Sequence, residues 1–217
     1  MAFRYSPKIV TNGLILALDA ANKKSYPGSG TSIQDLSGNE NNGTLENSPT
    51  FDSGNGGSIV FDGVNDYVGF PQSLTNDNFT ISSWVYVDST DTANGILSWT
   101  VGNNRRDLMI LLGDVTIVYG NLKYRRGSSV PLSTWVNFVS TYNGTTPLIY
   151  SNGNSISLGE ETNASSGISN QLYMGRLSFS TPYYFDGKIS STLVYNRALS
   201  SQEILQNYNA TKSRFGL

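Results

Sequence analysis

Short runs in which apolar and polar residues alternate recur along the chain between Gly- and Asn-rich turns, and this pattern restricts it to an all-β fold. Phe79–Val87, FTISSWVYV, is the clearest run of the first half. Ile81, Ser83, Val85 and Val87 share one face and Trp84 and Tyr86 the other, as in a strand with two different environments. Residues 14–18 are apolar without alternation, consistent with a strand covered on both faces. Residues 58–68 read as strand broken at Gly63, and further strands are predicted at 96–100, 108–112, 115–119, 122–124, 136–142, 148–151, 155–158 and 171–175. Gly113-Asp114, Gly120-Asn121 and Asn152-Gly153 are predicted two-residue turns, and Asn143-Gly144 separates two further strands.

The last strand spans 188–195, with Ile189, Leu193 and Tyr195 on one face and Lys188, Ser190 and Thr192 on the other. A short helix follows it. Ser200 is a suitable N-cap, Glu203 closes a capping box, and Leu199 and Ile204 occupy the two positions of a hydrophobic staple. Helical signal is almost confined to this stretch. About a dozen strands and one helix predict a two-sheet sandwich, and 217 residues are enough for one domain with one core.

The chain has neither cysteine nor histidine, which excludes disulfides, thiolate metal sites and triads built on imidazole. A formal net charge of −2 gives no field to attract a phosphate backbone, so nucleic acid is not an expected partner. Arg105-Arg106 and the cluster Lys123, Arg125, Arg126 read as solvated loops beside strands. No run approaches the roughly 20 apolar residues that span a bilayer. Residues 1–13 lack the apolar core of an export signal, so synthesis and residence in a cytoplasm are expected.

The string FDGKISSTLVYNRALSSQEI at 185–204 resembles the closing strand and turn of concanavalin A-like, laminin-G-like jelly rolls. NGLILALDAANKKSYPGSG, DLSGNENNGTL, GGSIVFDGVNDYV, FTISSWVYV and WVNFVSTYNGTTPLIYSNG match that pattern upstream and in order, and the N-terminal string is most similar to virion-associated proteins of bacteriophages. The resemblance implies a two-sheet antiparallel jelly-roll sandwich over 12–211, flanked by an arm at 1–11 and a tail at 212–217 that carries Phe215 and Leu217. It implies a non-catalytic protein of the virion surface (decoration, fibre or adhesin domain) with carbohydrate-binding capacity, assembled as a homo-oligomer with other virion proteins. One alternative is a purely structural capsid or tail protein, for which the arm should extend away from the core.

A second alternative is a glycan-cleaving enzyme of the laminarinase type, which places Glu-Xaa-Asp-Xaa-Glu on one strand so that two carboxyls face the substrate. None of the five glutamates, Glu40, Glu46, Glu160, Glu161 and Glu203, belongs to such a cluster. Relatives of this type also carry calcium, and one structural ion is the implied cofactor, with Asp186, Asp62 and Asp19 at the matching positions and Asp66 nearby. Tight turns and side-chain hydrogen bonds to backbone are the other explanation of those Asp-Gly and Asn-Asp pairs. For sugar recognition the candidates are Tyr183, Tyr184, Trp99 and Tyr124; a sandwich core also demands large aromatics, which is the alternative for Trp84, Trp99 and Trp135. Tyr183 and Tyr184 are consecutive, so one strand face cannot bury both.

Overall fold

The computed structural model describes residues 7–71, 74, 77–90, 94–101, 104–120, 122–159, 161–163, 171–178 and 183–217, with the backbone alone at 122–128 and 161–163. The chain folds as a sandwich of two antiparallel sheets with one short C-terminal helix. The first sheet holds β1 (Leu14–Asp19), β4 (Thr50–Asp52), β5 (Ser58–Asp62), β7 (Phe79–Val87), β12 (Trp135–Tyr142), β13 (Pro147–Ser151), β14 (Asn154–Ile156) and β17 (Asp186–Tyr195). The second holds β2 (Ser32–Ile33), β3 (Gly43–Glu46), β6 (Tyr67–Gly69), β8 (Asn94–Val101), β9 (Asn104–Leu111), β10 (Asp114–Gly120), β11 (Leu122–Ser129), β15 (Glu161–Asn163) and β16 (Tyr173–Met174).

Spatially the first sheet runs β14-β13-β12-β7-β17-β5-β4, and the second β15-β11-β10-β9-β8-β16-β6-β3-β2. The facing sides make one core. Ile81, Val85 and Val87 of β7 and Phe61 of β5 meet Trp99 of β8, Ile110 of β9 and Ile117 of β10 in it. Each such buried side chain stabilises by about 1.5–3 kcal/mol.

β17 holds the first sheet together. One edge pairs with β7 over its full length, and the other is shared by β5 at 186–189 and β1 at 191–195. Val85 and Trp84 of β7 face Ile189 and Ser191 in turn, so Ser190 is an extra residue, a bulge. This corrects the expected alternation. Ile189 lies in the main core, whereas Leu193 and Tyr195 lie on the opposite side, beneath the helix. The slip of one residue exchanges the faces of everything after it.

The helix α1 (Ser201–Thr211) begins as its sequence predicts, with the Ser200 hydroxyl accepting from the Glu203 N–H and the Glu203 carboxylate accepting from the Ser200 N–H. Leu199 and Ile204 are both buried beside Tyr195. Arg197 donates to both oxygens of Glu203, at 3.0 and 2.6 Å. That bidentate pair, helped by the Ser200 donors and opposed by burial, holds the Glu203 carboxyl down at about 2.

The tail continues as a 3-10 turn, Lys212–Phe215, and tucks in rather than reaching outwards. Its Phe215 ring stacks on Trp84 with centroids 4.0 Å apart, and Trp84 Nε1 donates to Thr211 Oγ1 at 2.8 Å. The described part of the arm docks on its own chain as well. The Lys8 carbonyl accepts from Gln206, the Val10 N–H donates to Asn207 Oδ1, and the Val10 carbonyl accepts from the Tyr195 hydroxyl. Residues 1–6 of the arm lie outside the described residues.

Two local expectations change. The β9–β10 turn is Leu112-Gly113, with φ of 52° and 81°, one residue earlier than predicted, because this tight turn needs positive φ at both centres. Arg105 and Arg106 are buried within β9 instead of lying in a loop, since each meets a carboxylate: Asp107 for Arg105 and Asp77 for Arg106. Asn152-Gly153 turns as predicted, with φ of 50° and 78°. Asn121 lies outside the described residues.

Candidate functional site

The outer face of the second sheet carries a row of directly opposed residues. Thr44 of β3 faces Gly69 of β6, Gly69 faces Tyr173 of β16, Tyr173 faces Ser98 of β8, and Ser98 faces Asp107 of β9. Their neighbours along the strands, Leu45, Val68 and Met174, point into the core, which fixes the row as outward. The row contains four different side chains and one glycine. Its two halves have different fates.

On β8 and β9 the face is filled. Asp107 is fully buried, accepts from Ser98 Oγ at 2.5 Å and is ion-paired to Arg105. Residues 176–178 lie across it: the Ser178 N–H donates to Ser98 Oγ at 2.9 Å, and Leu177 packs on Met109 and Val118. Gly95 permits this approach. A Cβ there would stand 2.5 Å from the Arg176 carbonyl carbon and 2.7 Å from the Leu177 nitrogen.

At the β3, β6 and β16 end the face is open among the described residues. A cleft of about 380 Å³ lies there, with Gly69 in its lining and Thr44, Glu46, Tyr67, Tyr173 and Gln171 around it. That volume is within the range of small-molecule sites. Tyr67 and Tyr173 meet edge to face at 5.7 Å, and Tyr184 stands 6.3 Å from Tyr67. The guanidinium of Arg176 sits over all three rings, at 4.5 Å from the Tyr173 centroid, 5.1 Å from Tyr67 and 6.0 Å from Tyr184.

Tyr184 reaches this cluster because it bridges to Arg176 in the backbone, next to a Leu177 N–H bond to the Tyr183 carbonyl. Burial, followed by the nearby Glu46 carboxylate, raises the Tyr67 hydroxyl above its ordinary value. It therefore remains an O–H donor at neutral pH. The Tyr173 hydroxyl donates to Gln171 Oε1. Aromatic faces, hydroxyl donors and one carboxylate acceptor on an open floor suit a ligand that is apolar on its ring faces and polar around its edge.

The expected sugar-binding residues separate on this map. Tyr184 is part of the cluster and Tyr183, at 40% exposure, is beside it in the chain. Trp99 is 0% exposed and packs edge to face on Phe79, so it is a core residue and not a platform. Its position on the inward side of β8 is the reason. The backbone of Tyr124 lies on β11, and its side chain falls outside the described residues. Tyr67, Tyr173 and Arg176 were not anticipated. The signal for them was the alternation of Tyr67-Val68-Gly69 and Tyr173-Met174, which puts the tyrosines opposite the core residues.

The three expected calcium ligands do not converge. Asp62 pairs with Asp186 in register, but Asp19 pairs with Ser191, five residues further along β17 and roughly 16 Å away at strand spacing. Asp62 Oδ1 accepts from the N–H groups of Val64, Asn65 and Asp66 at 2.9, 3.1 and 3.3 Å. Burial works against these donors, yet together they hold its carboxyl below the ordinary value. Asp19 Oδ1 accepts from Arg214 at 2.8 Å and from the Ala21 N–H at 3.0 Å. These oxygens serve turns and an ion pair, and among the described residues no three His, Cys, Asp or Glu side chains form a metal-binding group.

The two-sheet jelly roll with an open sheet face defines a lectin-like sandwich. Residues 62–205, more than half of the chain, match the laminin-G-type family model of the concanavalin A-like lectin/glucanases superfamily, and the chain belongs to that family. No curated protein sequence matches it. Among solved structures it is similar to domain 4 of AbnA, an extracellular arabinanase of Geobacillus stearothermophilus, in complex with arabinotriose. The TM-score is 0.70 at 17% identity, over 90% of this chain and 98% of that one. It is also similar to Trypanosoma rangeli sialidase in complex with sialic acid, with TM-score 0.66 at 16% identity over 93% of this chain and 33% of the sialidase. A third likeness is to botulinum neurotoxin type C, which depends on two ganglioside molecules to enter cells; the TM-score is 0.67 at 15% identity, over 93% of this chain and 52% of that one. The chain thus spans about a third of the sialidase and about half of the toxin chain. At these identities the likeness is one of fold.

Proposed function

We propose that this chain is a non-catalytic carbohydrate-binding domain that takes a glycan into the cleft over Gly69. The observation that carries the reading is the Tyr67, Tyr173 and Tyr184 cluster, which stands beside an open floor on an outer sheet face with hydroxyl and carboxylate groups at its edge. Sugar ligands in the likened arabinanase domain and sialidase structures support it. Among the described residues lining the cleft Glu46 is the one carboxylate, whereas glycoside hydrolysis uses a facing pair. The setting we propose is the surface of a bacteriophage particle, on the resemblance of the N-terminal string to virion-associated proteins of bacteriophages. Mass spectrometry of purified particles checks that setting, and absence of the chain from them counts against it.

The binding test is a broad glycan array probed with the parent and with Gly69→Val. Gly69 lies in an extended strand, and a Cβ there meets nothing closer than 3.4 Å, so the larger side chain enters the cleft without displacing the backbone. Selective binding by the parent that is lost in the variant, with an unchanged melting temperature, is the expected result. Parental binding retained by Gly69→Val would move the sugar site elsewhere. A blank array from folded parent protein defeats the reading.

A further inference from the structure

We propose that the glycan held in this cleft carries a carboxylate, which the guanidinium of Arg176 receives; the inference rests on the sugar-binding reading above. Four other arginines have described side chains, and each meets an acidic partner: Arg105 with Asp107, Arg106 with Asp77, Arg197 with Glu203 and Arg214 with Asp19. Arg176 differs. Among the described residues its guanidinium makes no ion pair or hydrogen bond, and its neighbours are three tyrosine rings; its Nε is buried without a partner, as are those of Arg105, Arg106 and Arg214.

An arginine keeps its charge at every accessible pH, so this is a permanent cation over two tyrosines, Tyr67 and Tyr173, that line the cleft. Cation–π attraction to the rings supplies no oxygen acceptor, so among the described residues the guanidinium's N–H donors are left without one. Those donors form a planar fork matched to a carboxylate, and the partly dry surroundings strengthen such a bond. Gly95 bears on the same geometry, because it lets the 176–177 backbone settle on β8 and so holds Arg176 beside Tyr173. With a formal net charge of −2 the chain has no general attraction for anions, so the recognition is local to this residue.

The carboxylate could belong to a sialic-type or a uronic-type sugar, and matched pairs separate the two. Calorimetry of the full chain is run with sialyllactose against lactose, and with a galacturonate trisaccharide against its methyl ester. The expected result is a preference for the acidic member of one pair by about tenfold or more, equivalent to about 1.4 kcal/mol, shrinking in about 0.5 M salt. Arg176→Gln, which keeps a planar polar group without the charge, is expected to lose that preference and retain the neutral ligand. Arg176→Lys should keep part of it. Equal binding of acidic and neutral members by the parent overturns the inference and leaves the sugar reading standing, as does an Arg176→Gln protein of parental melting temperature that still prefers the acid. Should Arg176→Gln fail to fold, the parent's preference and its salt dependence decide. Binding of neither member, after a blank array, removes both readings.

Discussion

The two outer faces of the sandwich are built from the same materials and end differently. On the first sheet Trp84, Trp135 and Tyr86 project outwards, and the chain returns to cover them: Phe215 stacks on Trp84 at 4.0 Å and lies 4.9 Å from Trp135, and Tyr208 stacks on Trp84 at 5.8 Å. Arg214 over Phe215 is paired with Asp19. On the second sheet Tyr67, Tyr173 and Tyr184 gather around Arg176 with no helix above them and no acidic partner for the arginine among the described residues. An aromatic cluster with an arginine is thus covered by the chain's own tail on one sheet and, among the described residues, left uncovered on the other. Residue type alone does not separate them.

The contrast is broken most directly from the covered side. Trp84→Ala removes a ring that is buried, stacked and hydrogen-bonded, and should cost about 3–5 kcal/mol in urea unfolding. A loss below about 1 kcal/mol would mean that α1 and the tail do not cover the face as described. Gly95→Ala tests how the open side is held in place. Its Cβ meets the Arg176–Leu177 backbone, so about 1–3 kcal/mol of stability should be lost together with glycan affinity. If affinity survives that loss, Arg176 is not positioned through β8.

Tyr184→Ala sharpens the comparison from the other face. Glycan affinity should fall about three- to tenfold, on the order of 1 kcal/mol, while the half-buried ring leaves the melting temperature near the parent's. The reverse pattern, intact binding and a large stability loss, would make this cluster structural like its counterpart. Ser200→Ala should cost about 1 kcal/mol by opening the capping box of the covering helix, measured by chemical denaturation.

The smallest effect is one of pH. Glu203 is held at about 2 in the folded chain against an ordinary value of 4.5, chiefly by Arg197. A carboxyl lowered on folding contributes stability above its unfolded pKa, and that contribution disappears as pH falls through the folded value. Stability should therefore decline between about pH 4.5 and 2 by a part that Glu203→Gln lacks. The side chains of the pair are 28% and 29% exposed, so solvent screening limits this part to on the order of 1 kcal/mol. Identical acid profiles for parent and variant would remove the pair from the account of how the helix is held.

The elements most legible in the sequence were those fixed by neighbours in the chain. The capping box needs Ser200 and Glu203 three residues apart, and β7 declares its faces by alternation, so both appear where predicted. Legibility failed where one residue changed a register. The bulge at Ser190 moved Leu193 and Tyr195 away from the face of Ile189, and the Leu112-Gly113 turn sits one position early. The buried Arg105-Arg106 pair was misread as solvated because its carboxylate partners include Asp77, which is distant in sequence.

The sequence by itself determined the class of fold, the cap of the only predicted helix and the inward or outward direction of the residues of β7, because those depend on periods of a few residues. Tertiary structure alone decided which aromatics are available. Trp99 and Tyr184 were equivalent candidates until strand pairing put one in the core and brought the other beside Tyr67, more than a hundred positions away in the chain. A cleft exists where cover is missing, and cover comes from segments far apart in sequence. Local pattern carries no information about that distance.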